Sequence, residues 1–251
     1  MVAVCCFDIE TTGLDRHACD ITVVALSLYD TRRERVVRSF CFNLVLAREK
    51  SPDDEADIKM QIKTILNGSD VLLAYNGLSF DVPWLWHWCD GQDDALLDSW
   101  KKKTMDFLHE AKIRTNAFIS MDSVAKENSI AVTKTATGKQ AIIWAQAREW
   151  QLLEEYCVAD TVVLLELFKT ACIRGLVMKA SKRGSYGSNP LPRTVKLRVT
   201  QDCTIESVEP DACNENPTEL GAALPRNDSM VQTPSMYACN PTGQDLDDIF
   251  Q

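Results

Sequence analysis

This chain of 251 residues has no long apolar run, no CxxC motif and only three histidines. Because no apolar segment approaches the ~20 residues that a membrane helix needs, and no N-terminal secretion signal is present, we expect neither membrane insertion nor export. The ten cysteines have no regular spacing. This pattern argues against a disulfide framework or a zinc site and indicates reduced thiols. We therefore expect an intracellular protein, cytoplasmic or nuclear.

The net charge of −9 is unevenly distributed. Residues 1–168 carry 18 basic and 26 acidic side chains, residues 169–198 carry eight basic side chains and no acid, and residues 199–251 carry one arginine and ten acids. The basic segment would suit contacts with phosphates. A solvated linker or a weak nuclear-import patch explains it equally well.

Two carboxylates follow the apolar run at the N-terminus. Asp8 and Glu10 are separated by one residue, so in a β-strand they project from the same side of the sheet. Like charges held side by side repel each other, and a divalent cation relieves that repulsion. Alone, the pair is also typical of a strand end with two solvated acids.

A third carboxylate lies where a strand is predicted to give way to a helix. The apolar run 71–75 breaks at Asn76-Gly77, and a helix begins at Asp81 with Pro83 in its first turn. Asp81 is explained by helix capping alone. Strand-to-helix junctions are also where open α/β sheets place groups that bind ligands.

A fourth carboxylate interrupts a long apolar helix predicted at 148–174. Tyr156 and Asp160 are four residues apart, which places them on one face of that helix. An uncompensated carboxylate on a largely buried helix is costly. Asp160 should therefore bind a metal, pair with another group, or face a cleft.

The remaining pattern predicts an α/β fold with a mixed five-stranded sheet flanked by helices: an antiparallel meander and then β-α-β-α. The predicted strands are 2–9, 20–30, 35–45, 70–75 and 103–108, and the predicted helices are 54–67, 81–89, 121–128 and 148–174. From about Ser181 the chain is rich in polar residues, and seven of the nine prolines fall at or beyond Pro190. We expect this tail to be disordered, with one short strand at 194–200 that has no partner.

In order and spacing, the three motifs resemble those of the DEDD superfamily of 3′–5′ exonucleases, which has a DnaQ-like, ribonuclease-H-like fold. Asp8-x-Glu10 matches the first motif, and Asn76-x-x-x-Phe80-Asp81 is close to the second motif of family B DNA polymerases. Tyr156-x-x-x-Asp160 marks the tyrosine subclass, because the histidine subclass would have histidine at the position of Glu155. The resemblance covers residues 1–175 and implies an exonuclease domain at 1–178, followed by a basic linker and acidic tail at 179–251.

The resemblance also implies a two-metal mechanism. Asp8, Glu10 and Asp160 would hold the ion that carries the attacking water, Asp8 would also contact a second ion, and Asp81 would act through the water shell of that ion. Oxygen ligands suit Mg²⁺, with Mn²⁺ as a substitute. Tyr156 would orient the water.

The resemblance also implies that five residues contact the 3′ end of the substrate. The implied contacts are the backbone amides of Thr11 and Thr12, the side chain of Leu14 against the terminal base, and Asn76 and Phe80 along the cleft. The expected substrate is single-stranded nucleic acid with a 3′ end, and the expected products are nucleoside 5′-monophosphates. The second motif favours DNA proofreading or trimming, while an RNA-processing exoribonuclease and a catalytically silent binding subunit remain as alternatives.

The acidic C-terminus, residues 245–251, ends in an apolar plug. It resembles a peptide ligand for a groove on a replication protein. A solubilising tail is the simpler explanation.

Overall fold

The computed structural model describes residues 2–131, 136–181, 185–186 and 189–208. The strands are β1 (Ala3–Thr11), β2 (Ile21–Asp30), β3 (Arg35–Asn43), β4 (Val71–Ala74), β5 (Thr104–Asp106), β6 (Leu176–Lys179), β7 (Ser185–Tyr186), β8 (Asn189–Pro190), β9 (Thr194–Val199) and β10 (Ile205–Val208). The helices are α1 (Leu44–Lys50), α2 (Pro52–Gly68), α3 (Asp81–Cys89), α4 (Asp94–Lys103), α5 (Phe107–Thr115), α6 (Met121–Glu127), α7 (Gly138–Ala147) and α8 (Trp150–Ile173).

A five-stranded mixed sheet of order β3-β2-β1-β4-β5 forms the centre of the fold. The first three strands pair antiparallel, because each connection between them is short, whereas β4 and β5 follow helices and join parallel. This arrangement confirms the predicted ribonuclease-H-like fold class.

The two faces of β1 pack into different apolar layers. Cys5, Phe7 and Ile9 lie in the cluster that contains the buried side chains of α2 and α3. Val4 and Cys6, on the other face, contact the cluster that contains α8. Since Asp8 and Glu10 continue this second series, the alternation of the strand directs them toward α8.

Four helices, α1, α4, α5 and α7, were not predicted. The predicted strand at 103–108 is wrong beyond Asp106, because the Asp106 carboxylate accepts a hydrogen bond from the backbone N–H of His109 and begins α5. Among the helices in the described ranges, none combines the length and the apolar character that a bilayer-crossing segment needs.

The expectation that residues 194–200 lack a strand partner is wrong. Strand β9 lies between β6 and β10 in a three-stranded antiparallel sheet. Its alternate residues Val195, Leu197 and Val199 are buried against the α8 layer. A boundary after residue 178 would cut through β6, so we propose that the folded unit extends to Val208. The tail from residue 209, including 245–251, lies outside the described residues.

At least four of the eight basic side chains in residues 169–198 make intramolecular contacts. These contacts are Lys169 with Glu166, Arg174 with the carbonyl oxygen of Asn128, Lys179 with Glu127, and Arg193 with the carbonyl oxygen of Ala180. Lys169 lies nine positions after Asp160 on α8, which is about 14 Å along the helix. These four side chains therefore have structural partners and are better explained as part of the fold than as phosphate ligands, while Lys182 and Arg183 lie outside the described residues.

Candidate functional site

The first two acids lie at the carboxyl end of β1. The register between β1 and β2 shifts between Glu10 and Thr11, so regular pairing ends where the acids stand. The Thr22 hydroxyl donates to the backbone oxygen of Glu10 at 2.9 Å and anchors this end of the strand. The Glu10 side chain is 8% exposed. A buried carboxylate next to a second one requires compensation from a cation or from donors.

Asp81 is not a conventional helix cap. The N-cap position of α3 is Phe80, and Asp81 is the first helical residue. Its Oδ1 instead accepts a hydrogen bond of 3.2 Å from the backbone N–H of Ile9, the residue between Asp8 and Glu10. Burial, strengthened by the charges of the surrounding acids, raises the pKa of Asp81 to about 7 even though backbone N–H groups lower it. This contact brings the second motif to the first.

The loop before Asp81 is tightly constrained. Asn76 adopts a left-handed backbone with φ of 71°. A Cβ at Gly77 would lie 2.3 Å from the Cβ of Ala74, a distance that forces the backbone to move. The Gly77 carbonyl accepts from the N–H of Val82 at 2.9 Å and so starts α3. Glycine is therefore required here to place Asp81.

The third motif is brought to the site by α8. This helix buries Leu153, Tyr156 and Cys157 against Val23 and Ala25 of β2. Its packing leaves the polar groups of the third motif beside β1.

Tyr156 and Asp160 share one face of α8 and interact directly. Burial is the main cause that raises the pKa of Tyr156, and the charges of Asp160, Glu10 and Asp8 and a hydrogen bond to Asp160 raise it further. Asp160 also raises the pKa of Asp81. The five motif residues thus form one electrostatically connected group.

Cys157 is a site residue that the sequence motifs did not identify. One potential ligand atom from each of Asp8, Glu10 and Cys157 lies within 4.8 Å of the others. The thiol donates a hydrogen bond of 3.4 Å to the backbone oxygen of Asp8. Burial raises its pKa well above the ordinary value. Its position, three residues before Asp160 on the same helix, was the available signal.

The donor chemistry of this group fits a hard divalent cation. Asp8, Glu10, Asp81 and Asp160 supply carboxylate oxygens from three separate segments, and the last three of these side chains are buried. Carboxylates are the side-chain ligands that Mg²⁺ and Mn²⁺ prefer. A bound cation would offset the cost of burying an ionised Asp81 and its repulsion from Asp160, both of which raise the pKa of Asp81.

The predicted substrate contacts differ in how accessible they are. Leu14 is 80% exposed beyond the end of β1. Phe80 is half-buried, and its ring packs 5.4 Å from that of Trp84. The N–H of Thr12 donates to the backbone oxygen of Asp20 at 3.0 Å. The hydroxyl of Thr11 donates to the backbone oxygen of Gly13. The Thr12 amide is therefore engaged within the protein.

Trp144 is a second residue that the motifs did not identify. Its ring contacts that of Tyr156 edge-on, with centroids 6.0 Å apart. Trp144 lies on α7, which was not predicted, so the sequence offered no route to this contact.

Comparison with known proteins identifies the family. The sequence model of the RNase H superfamily matches residues 5–172. The chain belongs to the RNase H superfamily. The matched range contains the four motif carboxylates and Tyr156. It also contains the whole central sheet except the first residues of β1. No curated protein sequence matches this RNase H superfamily member significantly.

Several solved structures resemble this superfamily member at low identity. The family B DNA polymerase from the hyperthermophilic archaeon Pyrobaculum calidifontis is 17% identical with a TM-score of 0.45, over 66% of this chain and 24% of the polymerase. E. coli exonuclease I in complex with a dT13 oligonucleotide is 14% identical with a TM-score of 0.40, over 79% of this chain and 52% of the exonuclease. E. coli exonuclease I with a 5cy-dT13 oligonucleotide is 15% identical with a TM-score of 0.38, over 62% and 43%. The chain thus spans less than two thirds of each of these proteins.

Proposed function

We propose that this RNase H superfamily member is a metal-dependent 3′–5′ exonuclease of the tyrosine subclass. It hydrolyses single-stranded nucleic acid, preferably DNA, to nucleoside 5′-monophosphates. The observation that carries the proposal is the meeting of four carboxylates and Tyr156 from three distant segments beside the end of β1.

In this proposal, Asp8, Glu10 and Asp160 would hold one divalent cation, Asp8 would also contact a second, and Asp81 would act through the water shell of that second ion. When bound, such ions supply the acidity that ionises a water and the charge that stabilises the departing 3′ oxygen. The carboxylates of the chain would fix where these charges lie, because β1 packs against α3 on one face and against α8 on the other.

Tyr156 orients the attacking water by a hydrogen bond. The ordinary pKa of a tyrosine, about 10, already keeps the phenol protonated at neutral pH, and burial raises that pKa further, so Tyr156 would not act as a general base. The edge contact from Trp144 and the hydrogen bond to Asp160 restrict the ring. Tyr156 is therefore suited to positioning and not to proton removal.

The substrate end would be bound by side chains near the acids. The exposed Leu14 would pack against a terminal base, and the half-buried Phe80 and Asn76 would contact the same strand. The wording of the second motif favours DNA, while an RNA-processing exoribonuclease would use the same groups, because the 2′-hydroxyl is distinguished by local contacts.

A nuclease assay tests the proposal. Single-stranded DNA and RNA, labelled at the 5′ or the 3′ end, are incubated with Mg²⁺ and then with EDTA. We expect stepwise shortening from the 3′ end, 5′-monophosphate products and no activity in EDTA. Products bearing a 3′-phosphate, or full activity in EDTA, would reject the mechanism. Preference for RNA would select the exoribonuclease, and binding without cleavage would select the silent subunit.

Asp8→Ala provides the matching variant. Removing one ligand should reduce cleavage by at least about a thousandfold, because several kcal/mol of transition-state charge stabilisation are lost. Asp57→Ala, a change at an exposed position of α2, is the control and should keep full activity. Equal activity of the two variants would contradict the site assignment.

A further inference from the structure

Asp106 lies at the end of β5, outside the three sequence motifs. Its side chain is 2% exposed and accepts hydrogen bonds from the loop of the second motif that leads to Asp81. We propose that Asp106 is a positioning residue that holds Asp81 in the metal site through this loop. The inference rests on the proposed function and adds a residue to it.

Both carboxylate oxygens of Asp106 accept hydrogen bonds from backbone N–H groups. Oδ1 accepts from Asn76 at 2.9 Å and from His109 at 3.1 Å, and Oδ2 accepts from Leu78 at 3.0 Å. Three donors around one buried carboxylate satisfy its charge without a cation. An asparagine could not do the same, because its amide nitrogen would face the N–H of Asn76 or Leu78.

The loop that Asp106 holds transmits its position to the metal site. Asn76 and Leu78 flank Gly77, whose carbonyl accepts from Val82 at the start of α3. Asp81, in that first turn, accepts from the N–H of Ile9. Hydrogen bonds linked through the backbone of residues 76–82 therefore connect β5 to the strand that carries Asp8 and Glu10.

Helix capping alone does not explain Asp106. A cap requires only the bond to His109. Asp93, which caps α4, accepts from the N–H of Leu96 through one oxygen and makes no second bond to a loop of the site. Asp93 is therefore the matched control: it is the same residue type in the same helical position, without the connection to Asp81.

Two substitutions separate the roles in the full-length protein. Asp106→Asn removes one acceptor for the loop, and Asp106→Ser keeps a good helix cap while it loses the reach to Asn76 and Leu78. We expect each to weaken Mn²⁺ binding, measured by titration calorimetry, by about 10- to 100-fold, the range typical of residues that orient metal ligands. Excess Mn²⁺ should restore much of the cleavage rate. Asp93→Asn should leave Mn²⁺ affinity within about twofold.

Amide hydrogen exchange gives a readout independent of metal and activity. The N–H groups of Asn76, Leu78 and Ile9 should exchange about tenfold faster in the Asp106 variants and remain unchanged in Asp93→Asn. Unchanged exchange at Ile9 and unchanged Mn²⁺ affinity would overturn the positioning role. If both Asp106 variants fail to fold by circular dichroism, the contacts maintain the fold itself and the role is likewise overturned. If the wild type neither binds Mn²⁺ nor cleaves, the proposed function fails, whereas faster exchange at Ile9 would still support the series of contacts.

Discussion

Replacing Asp81 by asparagine should stabilise the metal-free protein above neutral pH. Asp81 is 6% exposed, and burial is the main cause that raises its pKa from 3.8 to about 7. The raised value means that the folded protein holds a proton that the unfolded chain releases near pH 4. The wild type should therefore lose stability as the pH rises from about 4 to about 7, and above that range the full cost remains.

The size of this effect follows from the shift. A rise of about 3 pKa units corresponds to about 4 kcal/mol of free energy of unfolding, as an upper bound. Asparagine is never ionised, so it avoids this cost, and its oxygen still accepts from the N–H of Ile9. Weakening that bond from charged to neutral costs about 1 kcal/mol. We expect Asp81→Asn to be more stable than the wild type by about 1 to 3 kcal/mol at pH 8 in EDTA.

Urea unfolding followed by circular dichroism measures this difference. The wild type and Asp81→Asn are compared in EDTA at pH 4.5 and at pH 8, with Asp57→Asn on the surface of α2 as the control. Mg²⁺ at pH 8 should then stabilise the wild type more than the variant, because the ion binds the folded site. Parallel pH dependence of the wild type and Asp81→Asn would refute the reasoning.

Three other changes test other parts of the structure. Tyr156→Phe should reduce cleavage by about 10- to 100-fold, less than loss of a metal ligand, because it removes a hydrogen bond that orients the water; a loss as deep as that of Asp8→Ala in the same assay would contradict this role. Lys103→Met should lower the free energy of unfolding by about 2 kcal/mol in a urea titration, because the ammonium group donates to three backbone carbonyls at the end of α2; an unchanged midpoint would show that water replaces the ammonium without cost. Truncation after Val208 should leave the melting temperature unchanged, whereas truncation after Ser181 should lower it, because β9 is lost from the apolar layer of α8; equal melting temperatures would reject the assignment of β9 to the folded unit.

Site residues that lie on the same strand or the same helix could be paired from the sequence. The alternation of a strand places Asp8 and Glu10 on one face, and the helical repeat places Tyr156 beside Asp160. The central sheet was predictable for a similar reason, since short connections produce antiparallel strands and longer helical ones produce parallel strands.

Contacts between distant segments were not predictable in the same way. The Cys157 thiol meets the backbone of Asp8 across 149 positions of the chain, and no local pattern records such a pairing. The apolar residues around Asp106 fit a strand as well as a helix, so the boundary that makes Asp106 a cap was missed. The alternation in β9 was visible, but its partner β6 immediately follows α8 and has only four residues.

Because β1 is paired on both sides, the face on which its acids lie depends on whether the number of residues before them in the strand is odd or even. Because β1 bonds to β2 on one side and to β4 on the other, its neighbours hold its register. An insertion of one residue before Asp8 would exchange the faces of all following side chains and turn both carboxylates into the apolar layer of Phe7. Only insertions or deletions of even length within this strand would keep the acids facing α8. Odd changes in length must be absorbed by a bulge or outside the strand.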